Sequence, residues 1–148
     1  MFAVGDDGML VRLTTSAVTV VTTSPSLACV RVATDGTVVG VTNGGGLVGL
    51  RCAAFITIQT PQDLPVVSVD ERNGRLVALG RDGTVVERVD GRWRRLEPST
   101  TIVTDRRANH AASPVPTDIA ISDDGTILVA DAGRDAVLVY RINAAVSS

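Results

Sequence analysis

The stretch PTDIAISDDGTILVADAGRDAVLVYR, residues 116–141, decides the fold. Three short apolar runs (DIAIS, TILVAD and AVLVYR) are separated by two turn signals, DDG and AGRD, with no segment of helical length between them. Asp-Gly between such runs is the strongest short-range hairpin signal. The tight turn needs positive φ values, which Gly, Asn and Asp tolerate best. Val, Ile and Thr fill the runs, and their branched side chains suit a pleated surface.

Two other stretches share this grammar: LACVRVATDGTVVGVTNGGGLVGLR (27–51) and PVVSVDERNGRLVALGRDGTVVERV (65–89). The first turns centre on Gly36, Gly74 and Gly125, and the second on Gly44, Gly83 and Gly133. The surplus between the last two units lies in EPSTTIVTDRRANHAASPVP, 97–116. FAVGDDGMLVRL at the N-terminus matches the second and third strands of a unit. Fourth strands are expected at 17–23, 53–59 and 91–96. The chain reads as one domain in successive pieces: a partial blade 1–26, blades 27–64 and 65–98, a long loop 99–115, a partial blade 116–143 and a tail 144–148. The first unit is expected to lack its first strand and the last unit its fourth. Four antiparallel strands per unit of roughly 40 residues is the signature of an all-β propeller. A β-sandwich also explains regular short strands, but not the repeat. TILVA and RLVAL are apolar at successive positions, as expected of blades stacked on both faces.

The unit at 116–141 resembles the NHL-type propeller repeat. Pro116 opens it, an acidic-Gly turn follows the first strand, Val129-Ala130-Asp131 forms the second, and the third ends in Val137-Leu138-Val139-Tyr140. The other units are looser, with Gly40–Thr42 and Ala78–Gly80 in place of Val-Ala-Asp, and are also similar to WD, tectonin or lactonase-like repeats. Asp131 is expected to accept backbone N–H groups of the turn that follows it. The resemblance implies about three and a half blades, where closed propellers have four to eight. An open arc exposes strand edges and the apolar faces of its end blades. Such a chain is a fragment, closes as a small four-bladed ring, or is completed by a protein partner or a second copy. The missing strands lie at opposite blade edges, which favours completion by another chain.

Composition narrows the function. The 148 residues suffice for one domain with a core. A net charge of −2 supplies no field to recruit nucleic acid or an anionic membrane. All 14 basic residues are arginine, which excludes a Schiff-base, P-loop or general-base lysine. Cys29 and Cys52 form no CxxC and read as thiols of a reducing compartment, with a cross-strand disulfide as the alternative. The N-terminus lacks a signal-peptide pattern and no apolar run reaches membrane-spanning length, so a soluble, intracellular protein is expected.

One stretch departs from the acidic average. Arg92, Arg94 and Arg95 surround Trp93, and Arg106, Arg107 and His110 follow in the long insertion. Arginine matches carboxylate and phosphate, and an exposed Trp is a typical interface anchor. These seven residues are the candidate partner-binding surface. A solvated outer strand explains them more simply, and an RNA or phosphate site would want more than one stacking aromatic. The acidic turns, Asp6-Asp7-Gly8 among them, lack the alternating oxygen ligands of a calcium loop. His110 is the only histidine, no G-x-S-x-G occurs, and GGG at 44–46 has no lysine after it. No catalytic, metal or cofactor residue is expected. The expected function is a non-enzymatic interaction or scaffold module. The alternatives are a polyanion-binding propeller and a lyase- or lactonase-like enzyme, whose channel-lining strands would offer Arg31, Ser68, Asp70, Asp118 and Ser122.

Overall fold

The apolar runs become strands and the Gly-containing turns join them. A computed structural model describes residues 2–4, 9–22, 25–33, 35–52, 54–103 and 113–141. Blade 1 is a three-stranded sheet of β1 (Phe2–Val4), β2 (Leu10–Leu13) and β3 (Val18–Thr22). Blade 2 contains β4 (Leu27–Val32), β5 (Val38–Thr42), β6 (Leu47–Arg51) and β7 (Ala54–Thr57) in that order. A 3₁₀ turn at Pro61–Asp63 leads to blade 3, with β8 (Val66–Arg72), β9 (Arg75–Gly80), β10 (Val85–Val89) and β11 (Arg92–Leu96). Blade 4 holds β13 (Pro116–Ile121), β14 (Ile127–Asp131) and β15 (Ala136–Tyr140), with β12 (Thr100–Val103) on its outer edge. All pairings are antiparallel. The array of four-stranded sheets is an open arc of a β-propeller, with β4, β8 and β13 along its inner wall.

The last blade differs from the sequence expectation. It does not lack a fourth strand, and 99–115 is not all loop. β12 lies ahead of the blade's own first strand and pairs with β15 from Thr100↔Val139 to Val103↔Ala136. Ser99 Oγ, donating 2.9 Å to the Val139 carbonyl, anchors its start. The outer strand is therefore laid down first and the chain returns to the inner wall. Among the described residues blade 1 alone shows three strands, and the place without one is the innermost: β1 lies against β4 as β5 lies against β8 and β9 against β13.

Successive side chains of a strand point to opposite faces, so burial reports which blades have two neighbours. In β9, Leu76 and Ala78 join a core with Val39, Val41 and Leu47 of blade 2. Val77 and Leu79, between them in sequence, join a second core with Ile119, Ile127 and Val129 of blade 4. Blade 3 is thus packed on both faces. In β14, Ile127, Val129 and Asp131 are buried whereas Leu128 and Ala130 are exposed. TILVA is covered on one face only, although its composition matches RLVAL, because among the described residues no further blade lies on blade 4.

Each complete blade carries a β-bulge at the same point of its inner strand, between Leu27 and Cys29, Val66 and Ser68, and Pro116 and Asp118. A bulge re-aims the residue that follows it. Cys29, Ser68 and Asp118 therefore hold equivalent places on the inner wall. The turns also repeat. Three Asp-Gly-Thr tripeptides close in the same way: Asp35, Asp82 and Asp124 each accept the N–H two residues on, from Thr37, Thr84 and Thr126, at 2.8, 2.9 and 3.0 Å. Asn73-Gly74 has both central φ values positive, 54° and 75°, as the preferred two-residue hairpin requires. Asp131 is buried and accepts Gly133 N–H at 3.1 Å, as expected, and also Val115 N–H at 2.9 Å.

Candidate functional site

Polar chemistry collects on the inner wall. Asp118 Oδ1 accepts the Ser68 hydroxyl at 2.6 Å, Arg31 Nη2 at 3.1 Å and the N–H of Ile119 at 3.0 Å. These three side chains come from blades 2, 3 and 4. Asp70 Oδ2, two residues beyond Ser68, accepts the Ile121 N–H at 2.8 Å. Arg72, two further on, is ion-paired with Asp123. Every second residue of β8 from Ser68 to Arg72 thus ties blade 3 to blade 4, and Arg75 adds a 3.2 Å hydrogen bond to the Gly125 carbonyl. Three of the five channel-lining candidates, Arg31, Ser68 and Asp118, meet here, and Asp70 lies beside them on β8, bonded to the Ile121 N–H. Ser122 instead closes its own turn, donating to Asp124 Oδ1 and to the Thr126 carbonyl.

Cys29 belongs to this wall and has no individual signal in the sequence; only the repeated bulge places it beside Ser68 and Asp118. Burial pushes its thiol up, against the opposing charge of Arg31. A thiol held protonated is a poor nucleophile at neutral pH. Ser68 is buried and hydrogen-bonded to a carboxylate with no base between them. The wall offers a carboxylate and a guanidinium, both partly exposed, to a polar ligand. Among the described residues, the Ser68 hydroxyl meets the Asp118 carboxylate directly and no histidine stands between them.

The arginine-tryptophan strand is built differently from a projecting patch. Trp93 is half-buried against the blade 2–blade 3 core, and its indole N–H donates 2.8 Å to the Gln59 carbonyl. Arg88 lies over its ring, 6.0 Å from the centroid. Arg94 turns back across β10 to Glu87, Nε to Oε2 at 2.6 Å. Arg95 pairs loosely with Glu97 at 3.5 Å, and Arg92 is exposed. Of the four described candidates, Arg92 and Arg95 are thus displayed without a buried partner, whereas Arg94, also exposed, is tied to Glu87. Arg106, Arg107 and His110, like the turn Asp6-Asp7-Gly8, lie outside the described residues. Trp93 also lines a cleft of about 700 Å³ between blades 2 and 3 with Arg88, Leu76, Ile58 and Glu71.

The two ends of the arc carry the largest apolar exposures. On blade 4, Ala120 opposes Leu128, Ala130 opposes Val137, and Val137 opposes Ile102. Directly opposed residues of an antiparallel pair share a face. Leu128 is 41% and Ile102 53% exposed. On blade 1, Val11 opposes Val20 and Leu13 opposes Val18, and Val18 and Val20 are 72% and 53% exposed. Leu10, on the other face of β2, is fully buried.

No protein-family model and no curated protein sequence matches the chain. Solved structures do. A streptogramin B lyase matches with a TM-score of 0.66 at 11% identity, over 93% of this chain and 45% of that one. A virginiamycin B lyase from Staphylococcus aureus gives 0.59 at 14% identity, over 97% and 55%. The N-terminal domain of Nup159 gives 0.54 at 15% identity, over 97% and 40%. These are β-propeller proteins, and the chain spans about half the length of each. At such identities the likeness concerns the fold alone. Among the described residues no helix is long and apolar enough to cross a membrane. The chain is an all-β, open segment of a β-propeller.

Proposed function

We propose that this chain is a non-enzymatic assembly module of NHL-like propeller type, whose work is done through the surfaces at the ends of its arc. One observation carries this reading: the apolar face of blade 4, formed by Ile102, Ala120, Leu128, Ala130 and Val137, has no blade upon it among the described residues. Contiguous exposed apolar surface marks a docking site or an aggregation hazard. β1 adds a second open edge, because among the described residues it stands at the inner edge of blade 1 where the other blades carry a further strand. The displayed Arg92 and Arg95, on the outer strand of blade 3, are the surface left for a partner with acidic groups. The two unpaired cysteines, Cys29 and Cys52, fit a reducing, intracellular setting. The test is the native mass of the purified chain beside that of Leu128→Asp. Assembly beyond one chain, reduced by the substitution while the circular dichroism spectrum is kept, is the expected outcome. A well-behaved wild-type monomer with unchanged behaviour of the variant refutes it.

A second reading, a lyase-like enzyme, rests on the convergence of Arg31, Ser68 and Asp118 at the inner wall. Two of the similar structures are lyases by name. Asp118 already takes three hydrogen bonds from its own chain, which suits a clasp between blades better than a general base. A stoichiometric divalent ion in the purified protein, lost in Asp118→Ala, would favour the enzyme reading.

A further inference from the structure

We infer that the occupant of the exposed face of blade 4 is blade 1 of a second copy of this chain, and that two copies close head to tail into one ring with two-fold symmetry. This rests on the reading of the end faces as docking surfaces, and it names the partner.

Four observations carry it. The arc has two different apolar ends, the blade 4 face around Leu128 and Ile102 and the blade 1 face around Val18 and Val20. Propeller blades stack with one face on the opposite face of the next, which is how blade 3 meets blades 2 and 4. A blade 4 face laid on a blade 1 face continues that same stacking, whereas blade 4 on blade 4 would reverse it. The arc superposes over 93–97% of its length on propellers of which it spans 40%, 45% and 55%, so its curvature is that of a ring about two to two and a half times its size. Two arcs of four blades make eight, within the usual range of four to eight. Finally, the area suffices. With strands about 4.8 Å apart and about five residues of roughly 3.4 Å each, a four-stranded face covers roughly 330 Å² and a three-stranded one roughly 250 Å². The smaller face limits each contact, so two head-to-tail contacts bury roughly 1,000 Å² over both sides, the size at which a specific interface begins. A heterologous contact of this kind either closes into a ring or runs on as an open fibre. The curvature of a closed ring favours closure over a fibre, and two copies are the smallest number that completes it.

The experiment is light scattering after gel filtration on the 148-residue chain, its Leu128→Asp and Val20→Asp variants, and an equimolar mixture of the two variants. Both substitutions sit on exposed positions, and circular dichroism confirms that each variant folds. The wild type is expected at twice the 15.4 kDa chain mass, independent of concentration. Each variant alone should dissociate at least tenfold more readily, because both of its contacts are damaged. The mixture should regain dimer, since a mixed pair keeps one contact with an intact face on each side. Loss of dimer in Leu128→Asp but not in Val20→Asp would mean blade 4 docks on blade 4 and would overturn the head-to-tail ring. Mass that grows with concentration would overturn closure at two. Wild-type aggregate that Leu128→Asp renders monomeric, with no rescue on mixing, would keep the docking face but overturn the second copy as its occupant. A monomeric wild type indifferent to Leu128→Asp would overturn both.

Discussion

Replacing Glu87 by Leu should cost this fold about 4 kcal/mol, and the reason lies in a three-residue charge cluster inside blade 3. Glu87 is fully buried on β10. Arg75 Nε donates to its Oε1 at 2.7 Å, and Arg75 Nη2 lies 2.6 Å from the same oxygen without hydrogen-bond alignment. Arg94 grips Oε2 with Nε at 2.6 Å and Nη2 at 2.5 Å. Removing the carboxylate strands two guanidinium groups unequally. Arg75 is only 22% exposed and is held by the Gly125 carbonyl as well, so its charge stays largely buried. An uncompensated buried charge costs about 3–5 kcal/mol. Arg94 is 54% exposed and can swing into water, which limits its share to below about 1 kcal/mol. The sum lowers the melting temperature by roughly 12 °C in a domain of this size. It lowers the urea midpoint by about 2 M for an m-value near 2 kcal/mol/M. Trp93 is the only tryptophan and sits at the seam between blades 2 and 3, so its fluorescence reports the transition. All measurements need one protein concentration, because association would raise apparent stability. Adding Arg75→Met and Arg94→Met to Glu87→Leu should recover most of the loss, since apolar side chains of similar volume replace a buried ion cluster at little cost. A loss below about 1 kcal/mol in the single variant, or a triple variant no more stable than the single, would refute the reasoning.

Asp131→Ala removes the acceptor of two backbone N–H groups, those of Val115 and Gly133, and should cost about 2–4 kcal/mol in urea denaturation. Asp131→Asn keeps one acceptor oxygen and should lose under half of that; equal losses would show that the hydrogen bonds are not the cause. Asp124 carries a pH signature. The Ser122 hydroxyl, and after it the Thr126 N–H, holds its carboxyl down to about 2 from an ordinary value of 3.8. Its folded value is depressed, so its contribution is complete above about pH 4 and is lost as pH falls toward 2. The urea midpoint of Asp124→Ala should therefore fall less between pH 4 and pH 2 than that of the wild type, and parallel curves would count against this.

Trp93→Ala is a poor probe of partner binding, because the indole fills part of the core between blades and bonds to Gln59. Arg92→Ala with Arg95→Ala touches only displayed charge and should leave the melting temperature within about 2 °C of wild type. If that pair shifts the melting temperature as far as Glu87→Leu, those arginines hold the fold and do not face a partner.

The hairpin units, their turns and their order were legible along the chain because each rests on local chemistry. Asp-Gly-Thr and Asn-Gly meet φ requirements within four residues, and runs of β-branched side chains favour strands wherever they are placed. The role of Asp131 was legible for the same reason, since its expected acceptor contact lies only two residues away. What the tertiary structure decided is non-local. TTIV at 100–103 has the composition of a strand, but only the return of β15 some 35 residues later gives it an edge to pair with. TILVA and RLVAL look alike, yet one is half-exposed, because burial depends on whether another blade follows. Arg92, Arg94 and Arg95 form a single motif in sequence. The buried carboxylate of Glu87, directly opposite Arg94 on the neighbouring strand, separates Arg94 from the others. Ser68 and Asp118 meet because neighbouring blades repeat one bulge at one radius of the arc, and Arg31, two residues beyond the matching Cys29 and 87 from Asp118, reaches across to the same carboxylate. Local turn chemistry makes the blades; the stacking of their faces decides which side chains are core, which are clasp and which remain exposed at the ends.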